Sequence, residues 1–347
     1  SALEQVEFIN GSFFIKDSYH TFNGTDAFYN VSFSFENPDA ITAFETLRVN
    51  LGENFPNGIV NLINLEVLDL KRNTGIVNFP TDLSSLKKLK EFTLEGANLT
   101  EIPLSVLNLK NLEKLGLRLS IDLSQPFTTT NFNKINLLQN TLKELDFSRT
   151  NVSDFPSTFV ELVNLDELYI DISNIATLPV NVPEELKILT IRRSQLSSLQ
   201  NFGRIVSLNY INIDDSKDGT TQNPIPNDFA NLVNLQKIIV TSNAMANGSG
   251  GIDVTIKHYY DFIVANASID NSFSKFRNLS IDFTAYHIST DIPNGTYQQP
   301  SNYTFNVING NPSTSQEYIW VLVNQYSCQI RYNISDGSGG KLAVTRQ

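Results

Sequence analysis

The sequence predicts a curved, right-handed solenoid of the α/β type, in which short parallel strands alternate with helical turns. A motif of about 23 residues returns along the chain, as residues 142–164 and the segment after them illustrate. Each copy begins with strand-like alternation and continues with a turn that follows a proline. Elements this short bury their apolar sides only by stacking on their neighbours, so the copies are expected to form one coil.

Nine copies of the motif are predicted over about residues 44–243. Each copy has apolar residues at relative positions 1, 4 and 6, and the alternation from 4 to 6 is typical of a strand with one buried face. Stacking would place these strands in a parallel sheet on the concave side and the turns on the convex side. The predicted first positions are Phe44, Leu65, Leu89, Leu112, Leu142, Leu165, Leu186, Leu208 and Leu235.

An apolar residue followed by proline marks the return leg of most copies. Proline at a first helical position needs no partner for an amide, so the return leg is predicted to contain a helical turn. The pairs are Phe55-Pro56, Phe79-Pro80, Ile102-Pro103, Phe155-Pro156, Leu178-Pro179 and Ile225-Pro226.

The combined pattern, LxxLxLxxN followed by LPxxLxxLxN, resembles the leucine-rich repeat family, and in particular bacterial cell-surface members with repeats of about 23 residues. This resemblance implies protein or peptide ligands. The family's inward asparagine appears only as Asn73 and Asn243. The intervening copies carry Ala97, Ser120, Thr150, Ser173, Ser194 and Ser216. A hydroxyl group can also bond loop backbone, so the stack is expected to survive these changes.

The segments on either side of the repeats are predicted to be β-rich. Residues 1–43 alternate apolar and polar side chains around an Asn-Gly turn, as strands of an N-terminal capping sheet would. Residues 44–246 form the solenoid. After the glycine-rich stretch at 247–251, residues 252–347 are predicted to be a C-terminal all-β domain, with a strand at 317–323.

Composition limits the functions open to the chain. A net charge of -11 disfavours nucleic acid as the main partner. The single cysteine, Cys328, excludes an internal disulfide, which fits a bacterial surface or periplasm, or a reducing cytosol. No apolar run is long enough to span a membrane, so a lipid anchor, if present, would lie upstream of the given chain.

Catalytic and metal-binding patterns are weak, so no cofactor and no enzymatic activity are expected. The histidines, His20, His258 and His287, lack partners at ligand spacing, and Cys328 is expected to pack inward from a strand. Asp214, Ser216 and Asp218 imitate the start of a calcium loop, but Ile225 stands where a glutamate is required. A polar turn is the simpler interpretation.

Acidic side chains recur at equal positions of neighbouring copies, which raises the alternative of acid–base catalysis. Glu144 and Glu167 share one column, with Glu91 and Lys114 before them. The adjoining column alternates in sign through Glu66, Lys90, Glu113, Lys143, Asp166 and Lys187. Opposite charges on adjacent strands stabilise a sheet, so a structural role explains these carboxylates without catalysis.

The best candidate site is therefore a surface. Positions 3, 5, 7 and 8 of each copy are predicted to face the concave side, and arginine and tyrosine there are typical of protein interfaces. The candidate ligand-binding residues are Arg118, Arg149, Tyr169, Asp171, Arg192, Arg193, Tyr210, Asp214 and Asp215. The alternative is a glycan-binding or enzymatic module in the C-terminal domain that uses Tyr297, Tyr303, Tyr318 and Trp320.

Overall fold

A computed structural model of the chain describes most of the repeats and the elements that flank them. The described residues are 5–9, 11–16, 33–47, 51–73, 75–97, 99–119, 134–196, 198–213, 226–240, 251–267, 279–288, 315–324, 326–335 and 341–347. The chain divides into two compact units. The first unit comprises Ser1–Asn174 and Asn181–Leu186, and the second comprises Ile175–Val180 and Lys187–Gln347.

The first unit is built on a sheet in which every strand pairs with the next one along the chain. Its strands are β1 (Gln5–Ile9), β2 (Ser12–Lys16), β3 (Ala43–Leu47), β4 (Val67–Lys71), β5 (Glu91–Leu94), β6 (Lys114–Gly116), β7 (Glu144–Asp146) and β8 (Glu167–Tyr169). Strands β1 and β2 are antiparallel, and all pairs from β2 to β8 are parallel. The unit is thus a solenoid of parallel coils with a β-hairpin at its N-terminal end.

Strand register confirms the predicted repeat frame in every described copy except the first. Leu68 pairs with Phe92 and Leu145 pairs with Leu168, each at position 4 of its copy. Phe44 was predicted at position 1, but it pairs with Leu68 and therefore occupies position 4. The first copy therefore begins at Ile41, which lies three residues before Phe44. Both residues are buried, as positions 1 and 4 are in the other copies.

The core of the first unit is the stack of side chains at positions 1, 4 and 6. Leu65, Leu68 and Leu70 have no exposed surface, and the same holds for Leu165, Leu168 and Ile170 one hundred residues later. Burying a leucine of this kind contributes about 1.5–3 kcal/mol relative to leaving it exposed. Since these side chains are stacked from one coil to the next, the stabilisation belongs to the stack rather than to one copy.

The return legs of the coils are short helical turns, as the proline pairs predict. Pro103 immediately precedes the single-turn helix α1 (Leu104–Leu107), and Pro156 precedes a 3-10 turn at Ser157–Glu161. Proline has extended backbone at the capping position in both places, rather than being the first helical residue. Phe155 and Phe159 stack with their ring centroids 4.2 Å apart, which packs the turn against the core.

Asparagines before the leucine at position 1 join successive return legs. The Nδ2 of Asn64 donates to the carbonyl of Asp39 at 2.9 Å, and that of Asn111 donates to Lys87 at 2.6 Å. Asn164 and Asn234 make the same contact one coil back, within their own units. The repeated "LxNL" in the sequence marks these asparagines, which are distinct from the inward asparagine of the family pattern.

Two of the residues that replace the inward asparagine, Thr150 and Ser194, bond loop backbone as expected. Asn73 donates to Thr46 Oγ1 at 2.7 Å in the preceding coil. Thr150 instead donates to the carbonyl of Phe147 at 2.7 Å, and Ser194 donates to that of Arg192 at 3.1 Å. A hydroxyl group is shorter than an amide, so it closes its own loop rather than reaching the neighbouring coil.

The second unit continues the same repeat plan and ends differently. Its strands are β9 (Ile188–Thr190), β10 (Tyr210–Asn212), β11 (Lys237–Ile239), β12 (Ser280–Ile288), β13 (Gln329–Ser335) and β14 (Lys341–Arg346). All pairs from β9 to β13 are parallel, and β14 closes the sheet antiparallel to β13. Two helices, α2 (Gly251–Ala267) and α3 (Ser315–Asn324), lie between these strands in the sequence.

The expected all-β character of residues 252–347 is therefore wrong. Parallel strands cannot be joined by a hairpin, so the connections into β12 and β13 need crossovers, and α2 and α3 provide them. Residues 317–323, predicted as a strand, belong to α3 instead. Four of the five side chains in the apolar run 319–323 are buried, namely Ile319, Val321, Leu322 and Val323. A continuous apolar run of this length does not distinguish a buried strand from a buried helix.

Packing shows how α2 substitutes for a helical turn. The Phe262 ring meets Phe229 of the preceding return leg with centroids 5.6 Å apart, and Tyr259 meets Phe283 of β12 at 5.8 Å. Within the part of the chain that the structure describes, no helix has the length and apolar content needed to cross a membrane. The sequence-based boundaries at 43, 246 and 252 stay predictions.

Leu168 offers a test of the stacked core. Leu168→Asp is expected to abolish the cooperative melting transition, because it places a charge in a site with no exposed surface. Leu168→Ala is expected to lower the free energy of unfolding by about 2–5 kcal/mol. Circular dichroism melting measures both effects.

Val163→Asp is the matched control, because Val163 lies in the return leg before Leu168 and is 58% exposed. It is expected to melt like the wild type. A Leu168→Asp protein with wild-type melting would contradict the register described above.

Candidate functional site

One side of the sheet in the first unit is open to solvent, and this is the side that was predicted to be concave. Along β4, Leu68 and Leu70 are buried whereas Val67 and Asp69 are half-buried, and β8 repeats the pattern. Side chains alternate along a strand, so positions 3 and 5 of successive coils form rows on this side. We call it the open face of the first unit.

Charged side chains at the start of the strands form ion pairs across the coils. Lys90 Nζ lies 2.7 Å from Glu66 Oε2, Lys143 Nζ lies 2.9 Å from Glu113 Oε2, and Lys114 Nζ lies 2.8 Å from Glu144 Oε1. The predicted alternation of charge is confirmed for these pairs. We call this set of side chains at positions 2 and 3 the charge ladder.

The charge ladder lines a shallow depression of about 300 Å³ on the open face. Its lining residues are Lys90, Glu91, Glu113, Lys114, Lys143, Glu144, Asp166 and Glu167. Three lysines face five carboxylates there, so the depression carries a net negative charge. A shallow, polar and open surface of this kind suits contact with a macromolecule better than enclosure of a small molecule.

The pKa values of the ladder follow from these contacts. The hydrogen bond and charge of Lys90 lower the pKa of Glu66, and Glu66 raises the pKa of Lys90 in return. Burial alone would lower the pKa of Lys114, but the hydrogen bond and charge of Glu144 outweigh it and raise this pKa. These shifts favour the charged forms of Glu66, Lys90 and Lys114.

Glu144 and Glu167 are direct neighbours on β7 and β8, as their spacing predicts. Each has its own donor, however. Lys114 binds Glu144, and the hydroxyl group of Tyr169 donates to Glu167 Oε2 at 2.6 Å. Burial and this hydrogen bond raise the pKa of Tyr169 well above its usual value, so the hydroxyl group remains a donor. The arrangement holds both carboxylates in place and supports a structural role.

The candidate ligand-binding residues of the first unit lie on three consecutive coils. Arg118 is half-buried, with its Nε 3.7 Å from Glu95 Oε1, whereas Arg149 is exposed. Tyr169 is half-buried beside the charge ladder. Asp171 was expected to face solvent but is only 5% exposed, and its backbone N–H donates to Ser148 Oγ at 3.2 Å.

The remaining candidates belong to the second unit or lie outside the described residues. Arg192 and Arg193 are exposed after β9, and Tyr210 is half-buried on β10. The ammonium group of Lys237 lies 6.0 Å from the centroid of the Tyr210 ring. Asp214 and Asp215 fall outside the described residues, together with the calcium-like turn that contains them.

One exposed cation of the open face was missed. Arg72 follows β4 and occupies position 8 of its copy, as Arg149 does in a later one. The sequence signal was available, since counting eight residues from Leu65 reaches Arg72. The prediction omitted it because it considered only the fourth to the eighth copies.

The alternative site in the C-terminal region loses part of its basis. Tyr318 is 4% exposed, and its ring packs 4.9 Å from that of Tyr260, so it is a core residue of the helix pair. Trp320 is half-buried on α3. Tyr297 and Tyr303 lie outside the described residues.

Cys328 packs inward, as expected, with no exposed surface. Burial raises the pKa of its thiol to about 12, which disfavours the thiolate that nucleophilic catalysis requires. Across the described ranges, no group of three or more His, Cys, Asp and Glu side chains is placed to hold a metal ion.

Comparisons with known proteins return solved structures only. No protein-family model matches the chain, and no curated protein matches it either. A leucine-rich repeat protein of Leptospira interrogans is 21% identical over 60% of this chain and 57% of its own, with a TM-score of 0.43. Two internalins of Listeria monocytogenes are 18% and 25% identical, with TM-scores of 0.46 and 0.38.

The alignments with the internalins cover 79% and 62% of this chain and 74% and 80% of theirs. The matched region spans little more than half the Leptospira protein. The solenoid itself is evident from the strand register within each unit.

Cys328 allows a test of the nucleophile alternative. A rise in the pKa of the thiol from 9.0 to about 12 lowers the thiolate fraction by a factor of about 1000. The native thiol is therefore expected to react slowly with a disulfide reagent at about pH 8. Denatured protein is expected to react at the rate of a free cysteine. Rapid labelling of the native chain would instead show an accessible thiolate.

Proposed function

We propose that the protein is a non-enzymatic binding protein that recognises a protein or peptide ligand on the open faces of its repeat sheets. One observation carries the proposal. Successive strands bury position 4 completely, while β4, β5, β7 and β8 leave positions 3 and 5 at least partly exposed to solvent. The core therefore leaves the exposed rows free to vary in chemistry, which suits recognition of a macromolecule.

The composition of the exposed rows supports protein recognition in particular. Arg118, Arg149 and Tyr169 lie on consecutive coils of the first unit, and Arg192 and Tyr210 lie on consecutive coils of the second. Arginine and tyrosine combine a large contact area with directed hydrogen bonds and dominate the binding energy of many interfaces.

Backbone rigidity supports the same function. The amides of Asp166 and Glu167 both donate to the carbonyl of Lys143, at 2.8 and 2.9 Å, and equivalent pairs of bonds join the preceding coils. Side chains carried by such a ladder lose less freedom on binding than side chains on loops, so more of the contact energy appears as affinity.

The setting of the protein is also part of the proposal. We place it outside the cell, or at the surface or in the periplasm of a bacterium. A single cysteine and a net charge of -11 are compatible with this setting. The same negative charge argues against nucleic acid as the partner.

Charge reversal at the open faces tests the proposal. The wild-type chain would first be used to capture partners from its native setting. Arg149→Glu and Arg192→Glu, separately and together, are expected to reduce binding of the captured partner at least about tenfold, since truncated interface arginines often cost 2 kcal/mol or more. Both residues are exposed, so the melting temperature is expected to stay within a few degrees of the wild-type value.

Lys187→Glu is the matched control, because it is also a charge reversal but lies at position 2, before β9, rather than after the strand. It is expected to weaken binding far less. If both arginine variants bind like the wild type while Trp320→Ala abolishes binding, the site lies in the C-terminal region. Strong quenching of Trp320 fluorescence by iodide would point the same way.

A further inference from the structure

Position 8 of the coils has an unusual backbone conformation in the first unit. Arg72, Leu119, Arg149 and Ile172 have φ angles of 56°, 51°, 59° and 53°, in the left-handed region. Gly96 fills the equivalent position between the first two, with φ at 88°. Residues other than glycine and asparagine rarely adopt this region, and a β-branched residue such as isoleucine does so least readily. We call these five residues the position-8 row.

The ladder between coils imposes this conformation. The amides of Gly96, Leu119 and Arg149 donate to the carbonyls of Arg118, Ser148 and Asp171, each at position 7 of the next coil. The backbone therefore adopts the left-handed conformation at position 8, where the strand ends and the N–H forms this hydrogen bond. Gly96 shows that the turn needs no side chain, so the exposed arginines at 72 and 149 are not explained by the fold.

Among the residues of the first unit that the structure describes, the two arginines are also the uncompensated cations at this end of the strands. Lys71 Nζ lies 2.5 Å from Asp69 Oδ2, and Arg118 is paired with Glu95. Arg72 and Arg149 form no ion pair with any residue in the ranges that the structure describes. Both are exposed, so their guanidinium groups are available to a partner.

The opposite end of the same strands is acidic. Positions 2 and 3 of the second to sixth coils carry three lysines, all paired in the charge ladder, and six carboxylates. Positions 7 and 8 of the same coils carry four cations, Lys71, Arg72, Arg118 and Arg149, and two carboxylates, Glu95 and Asp171. The open face of the first unit therefore has an acidic margin at positions 2 and 3 and a net positive margin at positions 7 and 8. An anionic segment is repelled from the first margin and attracted to the second, which fixes where it lies.

We propose that the position-8 row is the docking edge for an extended acidic segment of a protein partner, with Arg72 and Arg149 binding its carboxylates. This proposal rests on the proposed function and names the chemistry of the ligand. Adjacent coils are about 4.8 Å apart, so the arginines are separated by about 14 Å, which an extended chain spans in about four residues. Leu119 and the 37% exposed Ile172 provide apolar contacts along the same row.

Binding of a fluorescent deca-glutamate peptide to the full chain tests the proposal, with anisotropy as the measurement. The wild type and Arg72→Lys/Arg149→Lys are expected to bind, because both keep the two charges. Arg72→Asn/Arg149→Asn is expected to bind at least about tenfold more weakly. Its melting temperature is expected to equal or exceed that of the wild type, because asparagine tolerates the left-handed region better than arginine.

Lys87→Asn/Lys110→Asn is the matched control, since it removes two exposed positive charges from equivalent places in consecutive return legs. It is expected to bind the peptide within about twofold of the wild type. Equal weakening in both double variants would mean that net charge alone governs binding and would overturn the proposal. Absence of binding to the wild type, or tighter binding of a ten-nucleotide thymidine strand, would overturn it as well.

These outcomes are separable from a failure of the proposed function. One outcome is that binding of the captured partner depends on Arg149 and Arg192 while binding of deca-glutamate is unchanged in the position-8 variants. In that case the open face binds a ligand of other chemistry. If the captured partner binds equally well to the charge-reversal variants, the proposed function itself fails.

Discussion

Hydrogen bonds between the backbones of adjacent coils are the interaction on which the rest of the structure depends. Two successive amides at the start of each strand share one carbonyl of the preceding coil, as Glu113 and Lys114 do with Lys90. This pairing sets the spacing and register of the strands. Every buried leucine then meets its equivalent in the next coil, and one coil separated from its neighbours would lose both the bonds and the core.

The same ladder organises the surface. It places position 2 of one coil beside position 2 of the next, so alternating charges such as Glu66 and Lys90 become ion pairs at 2.7 Å. At the other end of the strands it forces position 8 into the left-handed region, where Arg72 and Arg149 project into solvent. The acidic and basic margins of the open face are consequences of strand register acting on a periodic sequence.

Sequence reasoning was accurate where the periodic signal was strong and failed where neighbours decide. The frame from Leu65 onward is correct because leucines at positions 1, 4 and 6 return many times, whereas the first copy, with Ile41 and Thr46, was misplaced by three residues. In the candidate site, Arg149 is exposed as predicted. Asp171 is buried, and its backbone N–H donates to Ser148 in the preceding coil. Contacts of this kind between coils are not visible in the pattern of a single copy.

By itself, the sequence determined the class of the fold, the side of each strand that enters the core and the alternation of charge along the sheet, because these follow from local periodicity. Only the tertiary structure decided that the C-terminal region contains helices α2 and α3 and that the parallel sheet continues through β12 and β13. Strand direction is a relation between distant segments. A short apolar run such as residues 319–323 becomes a helix because the parallel strands on either side of it require a crossover.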